Sequence, residues 1–272
     1  MRRYTIHIVL FILTVASTLI VGGPAYSFPL ILILLGHEMG HYLMSRRYGI
    51  RATLPFFLPF PLPPFGTLGA VIRMESTVST RKALFDTGVA GPLTSLLLSI
   101  PAIVIGLRLS ELIPVSQIKE GTLHLADPPL FSLIQRLVLG EISENYEILL
   151  HPIGFAGWVG LFVTALNLLP IGQLDGGHIS YALFGRKSRL ISLIAIAVMA
   201  FITVFYNPGW LLLLILMILF GFRHPAPMDD QTPLDARRKW IGALAFLAFL
   251  LSFTPAPFPE YAEEIKQLFR SF

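Results

Sequence analysis

The chain has 272 residues, of which 54% are hydrophobic and only 13% charged, with a formal net charge of +4 and a mean hydropathy of +0.72. Soluble domains carry about 25% charged residues, so the composition excludes a soluble enzyme and points to a polytopic membrane protein. The chain has no cysteine, which removes disulfides, thiolate metal ligands and cysteine nucleophiles; the mild charge is no nucleic-acid footprint.

Seven hydrophobic elements follow along the chain. The first, about Tyr4–Val21, follows Arg2-Arg3 and reads as a spanning helix. A signal peptide with small residues near Pro24–Ser27 is the alternative. The second is about Phe28–Met44 and the third about Thr87–Leu107, with Asp86 as its expected cap. The fourth is about Ile148–Leu169, the fifth about Leu190–Phe205, the sixth about Gly209–Phe222 and the seventh about Trp240–Phe253. The last two are short enough to be partial spans or re-entrant pieces. The expected fold is therefore all-α, with about six or seven transmembrane elements. It is expected to form one domain over residues 1–272, with a catalytic core at about 28–186, C-terminal hydrophobic elements at about 190–253 and a short tail at 254–272.

Between the second and third elements, Leu54–Met74 holds five prolines, which forbid a continuous helix, in an otherwise apolar stretch. Non-helical backbone persists at membrane depth only where protein or a water-filled cavity satisfies it. The stretch is expected to be a membrane-embedded re-entrant loop ending in a short strand at about Leu68–Met74; a greasy interfacial linker is the bland reading. The polar segment Arg108–Glu147 is expected outside the membrane as a loop with some helix. With the N-terminus in the cytoplasm, 15 of the 20 basic residues fall on inside segments, as the positive-inside rule requires. No Arg/Ser-rich organelle leader is present, and a multi-pass protein of a prokaryotic cell membrane is expected.

The chemistry sits in Leu35-Gly36-His37-Glu38-Met39-Gly40-His41, an H-E-x-x-H pattern on the second element. At 3.6 residues per turn the two histidines lie one turn apart on one face, where both imidazoles can reach one tetrahedral zinc. Glu38 is turned away by about 100° and can reach a water on the metal instead of the metal itself. Gly36 and Gly40 allow another backbone to come close. Chance would place such a pattern in about one sequence in 150 of this composition, but ionisable groups within a spanning helix default to function. A hydrolytic zinc site wants three protein ligands. Asp175, in Asn167-Leu168-Leu169-Pro170-Ile171-Gly172-Gln173-Leu174-Asp175-Gly176-Gly177-His178, is the one other acid expected deep in the membrane. Pro170 and Gly172 break the helix there, and Gly176-Gly177 supply a permissive backbone beside the acid.

These two segments resemble the site-2 protease family of intramembrane zinc metalloproteases, whose members carry H-E-x-x-H on one transmembrane helix and an Asp ligand in an (N-P/L)-D-G segment on a later one. The resemblance implies that His37, His41 and Asp175 hold one Zn2+ per chain, that Glu38 is the general base, and that Asn167 lies near the catalytic water or oxyanion. Gly66-Thr67-Leu68-Gly69-Ala70-Val71-Ile72 resembles the embedded hairpin of the shorter members, and Arg81–Pro92 resembles the entry to their third core helix. The likeness reaches over about Phe28–Arg186. No PDZ domain of about 90 residues fits between Gly106 and Leu166, so it is to the compact branch, without PDZ or appended regulatory domain.

The implied reaction is hydrolysis of a peptide bond in a transmembrane or membrane-proximal protein segment. The partners are that substrate and the lipid bilayer, and the strand at Leu68–Met74 offers an edge for an unwound substrate. A non-hydrolytic metal-binding protein, such as a divalent-metal transporter, is the competing class. His178 is either an orienting partner of Asp175, a contact near substrate, or a polar residue at a helix start. His7, His124, His151 and His224 are expected in packing or surface roles, and Trp158, Trp210 and Trp240 as interfacial anchors.

Overall fold

A computed structural model describes residues 2–75, 78–118, 124–221 and 224–259. Lys119, Glu120, Phe222, Arg223, Lys266 and Arg270 lie outside the described residues, as does most of the expected tail. In chain order the elements are α1 (Arg2–Gly22), α2 (Pro24–Arg47), β1 (Phe56–Pro59), β2 (Thr67–Val71), α3 (Arg81–Leu109), β3 (Glu111–Pro114), α4 (Pro129–Leu139), β4 (Tyr146–Leu149), α5 (Pro152–Asn167), α6 (Asp175–Phe184), α7 (Ser188–Phe205), α8 (Leu211–Phe220) and α9 (Ala236–Ser252). Among the described residues the fold is mostly helical, with the hairpin β1–β2 and a second two-stranded antiparallel sheet, β3–β4, whose strands are separated by α4.

Among the described residues, three stretches are long and apolar enough to cross a membrane: Tyr4–Gly22, Arg81–Leu109, and Asp175–Phe205, in which α6 and α7 are joined through a single 3-10 turn. Large apolar side chains of α1, α7 and α8, such as Ile12, Ile20, Leu190, Val204, Leu212 and Leu219, point outward and remain exposed. An apolar face of this extent is what a lipid solvent accommodates and water does not. α5 is the opposite case. It is 16 residues long, apolar all round and largely buried, and so it is the central post of the bundle. A methyl group on Gly157 would meet the Ile103 backbone nitrogen of α3 at 2.8 Å, so α3 and α5 are in backbone contact.

The proline-rich stretch is a hairpin rather than a loop with one strand. Phe56 pairs with Val71 and Phe57 with Ala70, with an irregularity before Pro59 pairs with Thr67. Its exposed backbone groups find protein partners. Ser17 Oγ of α1 donates to the Gly66 carbonyl at 2.5 Å, Tyr26 Oη of α2 donates to the Phe65 carbonyl at 2.8 Å, and His7 Nδ1 donates to the Pro55 carbonyl at 3.1 Å. Irregular backbone is thus satisfied from α1 and α2, as a low-dielectric setting requires.

Several expectations need correction. The fourth element does not begin at Ile148: Tyr146–Leu149 is strand β4, paired with Glu111–Leu112-Ile113-Pro114, and Pro152 opens the helix, its fixed φ suiting a first helical turn. Asp86 does not cap α3. Thr80 does, its side chain accepting the Ala83 N–H at 3.1 Å, while Asp86 accepts Nε and Nη2 of Arg238 at 2.7 Å each and the Tyr48 hydroxyl at 2.5 Å. Trp158 and Trp210 are buried, their indole N–H groups donating to the carbonyls of Ala126 and Pro255; of the three tryptophans Trp240 alone is exposed, at 74%.

Candidate metal centre

α2 carries His37 and His41 on its buried face, with Glu38 beside them; the three are 3%, 4% and 6% exposed. Space for them comes from the glycines of two helices. A methyl group on Gly40 would sit 2.6 Å from the Ala90 carbonyl oxygen of α3, and one on Gly91 would overlap the His41 imidazole. The close approach expected at Gly40 is therefore met by α3, whose own Gly91 is equally necessary.

Asp175 arrives from the other side of the bundle. α5 ends at Asn167, the chain turns through Leu168–Leu174 with Gly172 at φ +54°, and Asp175 opens α6. Gly176 and Gly177 are helical rather than conformationally unusual. Their part is clearance, since a methyl group on Gly176 would overlap the Leu168 carbonyl and one on Gly177 would lie 2.7 Å from the Ile171 carbonyl oxygen. The turn is folded tightly against the start of α6, which aims the Asp175 carboxylate at α2.

Three ligand atoms then converge. His37 Nε2 lies 3.1 Å from His41 Nε2, and Asp175 Oδ2 lies 3.3 Å from the first and 3.2 Å from the second. For donors about 2.0–2.1 Å from a tetrahedral zinc, the edge between two ligands is about 3.3 Å. The three sides of this triangle match that edge, so the residues fit the metal in chemistry and in spacing. Tautomers agree. His41 Nδ1 lies 2.8 Å from the Thr87 carbonyl, which can only accept, so Nδ1 carries the proton and Nε2 presents its lone pair to the centre. Asn167 Nδ2 lies 3.1 Å from His37 Nε2, whose single lone pair serves either that amide N–H or a cation within the triangle. Two imidazole lone pairs and a carboxylate oxygen pointed at one another call for a cation between them.

Glu38 belongs to the same pocket without joining the triangle. Its carboxylate lies beside the backbone of Ile72, just past β2. The embedded hairpin thereby reaches the site, and Ser45 Oγ ties α2 to Met74 farther along, at 3.2 Å from its sulfur. All five residues singled out from the sequence, His37, Glu38, His41, Asn167 and Asp175, come together here.

One pair escaped the sequence reading. His224, expected in a bland role, lies 2.6 Å from His178 Nδ1 through its Nε2 and stacks on Tyr181 at 4.7 Å between ring centres. Burial pushes the His224 imidazole down from its ordinary range, which favours the neutral ring. The connector bearing it is held to the start of α3: Arg81 Nε donates to Asp230 Oδ1 at 2.9 Å, and the N–H groups of Met228 and Asp229 donate to the carbonyls of Val78 and Ser79. Nothing in spacing or periodicity connects positions 46 residues apart. His7 and His151 have partners of the kind expected of packing residues, the Pro55 carbonyl 48 residues away and the Ile153 N–H two residues on.

Comparison with known proteins points the same way. Residues 25–206, which take in the whole site except the His224 connector, match the family model described as Peptidase family M50. The chain is 31% identical over 236 residues to "Probable zinc metalloprotease EGY2, chloroplastic" of Arabidopsis thaliana, covering 84% of this chain and 41% of that protein. It is 31% identical over 247 residues to "Probable zinc metalloprotease EGY1, chloroplastic" of the same plant, covering 86% and 43%. The corresponding EGY2 of Oryza sativa subsp. indica is 30% identical over 233 residues, covering 82% and 41%. The chain thus spans about two fifths of the length of the curated relatives it matches. With two thirds of its residues inside the family match, and relatives aligned along most of its length, the chain belongs to peptidase family M50, the site-2 protease family.

Proposed function

We propose that this chain is an intramembrane zinc metalloprotease that hydrolyses peptide bonds in transmembrane or membrane-proximal segments of protein substrates, with residues 1–272 acting as one transmembrane protease domain. The observation that carries the reading is the triangle of His37, His41 and Asp175 donor atoms, 3.1–3.3 Å on a side, with a buried glutamate beside it. Zinc held there supplies a Lewis acid and a water of lowered pKa. Glu38 takes the proton of the attacking water and returns it to the leaving amine. His41 is held in its ligating tautomer by the Thr87 carbonyl. Asn167 has a second role open to it. Once His37 Nε2 gives its lone pair to a metal, the Asn167 amide loses that acceptor and is free to donate to the developing oxyanion.

The substrate must be extended at the cleaved bond, because a helix hides its carbonyls. The segment after β2 provides an edge for it. The Arg73 N–H and C=O and the Glu75 N–H are bonded to Thr53 and Arg51. Alternation then turns the backbone groups of Ile72 and Met74 to the opposite edge, on the side where Ile72 meets Glu38.

The same reading places the N-terminus in the cytoplasm of a prokaryotic cell, with six or seven membrane-crossing or embedded elements. The basic-residue split supports it. The connectors fall at opposite ends of α3, as that map needs: the 224–235 segment lies against its start, whereas Pro257, past α9, bonds Ala126 beyond its far end. A cysteine placed at Ser116 is expected to react with an impermeant reagent in intact cells; reaction only after permeabilisation inverts the topology.

The deciding experiment is cleavage of a panel of membrane-spanning substrates by the purified chain. Cleavage is expected to stop with a chelator and to return with zinc at about one ion per chain. Divalent-ion uptake into vesicles without any peptide cleavage would instead establish the transporter.

A further inference from the structure

Beside the metal centre lies a cavity of about 450 Å3, lined on one wall by Ile72, Met74 and Glu75 and on the other by Thr87, His178 and His224. Ile72 and Met74 are the residues whose backbone faces the open edge. The opposite wall carries a hydrogen-bond chain whose direction can be read from its end. His224 Nδ1 lies 2.7 Å from the Pro225 carbonyl, which can only accept, so Nδ1 holds the His224 proton. In the neutral ring its Nε2 is then an acceptor, and His178 Nδ1, 2.6 Å away, is the donor. That assignment leaves His178 Nε2 with a lone pair on a residue that lines the cavity.

We propose that His178 Nε2 accepts a backbone N–H from the extended substrate segment lying along Ile72–Glu75, and that His224 is the positioning residue that fixes His178 in the accepting tautomer. This inference rests on the protease reading above. It makes the cavity a binding site for two or three residues on one side of the cleaved bond. That stretch must be extended, with an unblocked N–H at one position and apolar side chains against Ile72, Met74, Val78 and Leu84. The role differs from that of a ligand or a proton carrier. His178 is three residues from Asp175 in sequence, yet its fixed nitrogen is tied to the connector and not to Asp175. Gly88 of α3 keeps the arrangement close, since a methyl group there would lie 2.9 Å from His178 Cβ.

The test uses a cleavable membrane-spanning peptide, scanned with single N-methyl residues on both sides of its cleaved bond, and full-length wild-type, His178→Leu, His178→Gln and His224→Phe proteins. Zinc per chain is measured for each. Wild type is expected to show one N-methyl position that raises KM about tenfold with little change in kcat, in keeping with one lost hydrogen bond. In His178→Leu the unmethylated peptide should already show the raised KM, and methylation at that position should cost nothing further. His178→Gln, which keeps an acceptor oxygen, should recover part of the loss. His224→Phe, which keeps the ring on Tyr181 but frees the His178 tautomer, should raise KM about threefold, and adding it to His178→Leu should do nothing more. An unchanged KM in zinc-loaded His178→Leu, or an N-methyl effect as large in that variant as in wild type, overturns the inference while leaving the protease standing. A wild-type protein that loads zinc and cleaves no substrate overturns the protease reading and this inference with it.

Discussion

The two limbs of the site are built in opposite ways. α2 presents His37, Glu38 and His41 from a regular stretch of helix, past Pro29, whose 3.6-residue turn sets their mutual angles. The limb from Asn167 to His178 presents its groups from the ends of two helices on either side of a break. Its freed backbone groups need neighbours. The Pro170 carbonyl accepts from Ser192 Oγ of α7 at 2.9 Å, and the Gly172 N–H donates to the Gly221 carbonyl just past α8 at 3.2 Å. The regular limb therefore depends on space, which Gly40 and Gly91 leave open, and the broken limb depends on partners contributed by α7 and the end of α8. Within one site, precision is obtained once by periodicity and once by tertiary support.

Substitutions separate the two dependences. The largest effect is expected on the regular limb. Glu38→Gln keeps the side chain's shape and is no ligand, so zinc per chain should be unchanged while cleavage falls by about 1,000-fold. Wild-type cleavage by this variant would end the mechanism assigned to α2. On the broken limb, Asn167→Ala should lower kcat by about 100-fold with zinc retained, as the loss of one oxyanion donor does. An equal loss of zinc would make Asn167 a holder of His37 and nothing more. Gly91→Ala tests space alone. The added methyl pushes on the His41 ring, and zinc affinity, measured by competition with a chromophoric chelator, should drop by about tenfold. The smallest effect is expected for Ser192→Ala, which leaves the Pro170 carbonyl without its donor at a cost of about 1–3 kcal/mol. Thermal melting in detergent should shift down by a few degrees, about 2–4 °C per kcal/mol in a chain of this size. If Ser192→Ala weakened zinc binding more than Gly91→Ala, the contrast between the limbs would be reversed.

Much of this was legible before any coordinates. His37, Glu38 and His41 could be assigned because a helix converts sequence spacing into angle without help from the rest of the chain. Asp175 was legible for a weaker reason: an acid near Pro170 and Gly172 in an otherwise apolar stretch is costly unless something needs it; Asn167 was singled out only through the family resemblance. The embedded strand was placed within a few residues, but its partner at Phe56–Pro59 was not, because proline density argues against a strand unless an edge position tolerates it. The Asp86 assignment failed because an acid near a helix start has two outlets, the local N–H groups and a distant cation, and Arg238, 152 residues away, is the stronger partner.

The sequence by itself determined the membrane class, the helix carrying two of the proposed ligands and the base, and the acid that completes the donor set. Those features are encoded by local periodicity and by the cost of an ionisable group in an apolar run. Tertiary structure alone decided that Thr87 sets the His41 tautomer, that Gly91 makes room for the ring, that Ile72 of the hairpin meets Glu38, and that His224 meets His178 across 46 residues. Each of these joins segments whose separation along the chain carries no angular or chemical signal; only the packing of α2, α3, α6 and the 224–235 connector brings them within hydrogen-bonding reach.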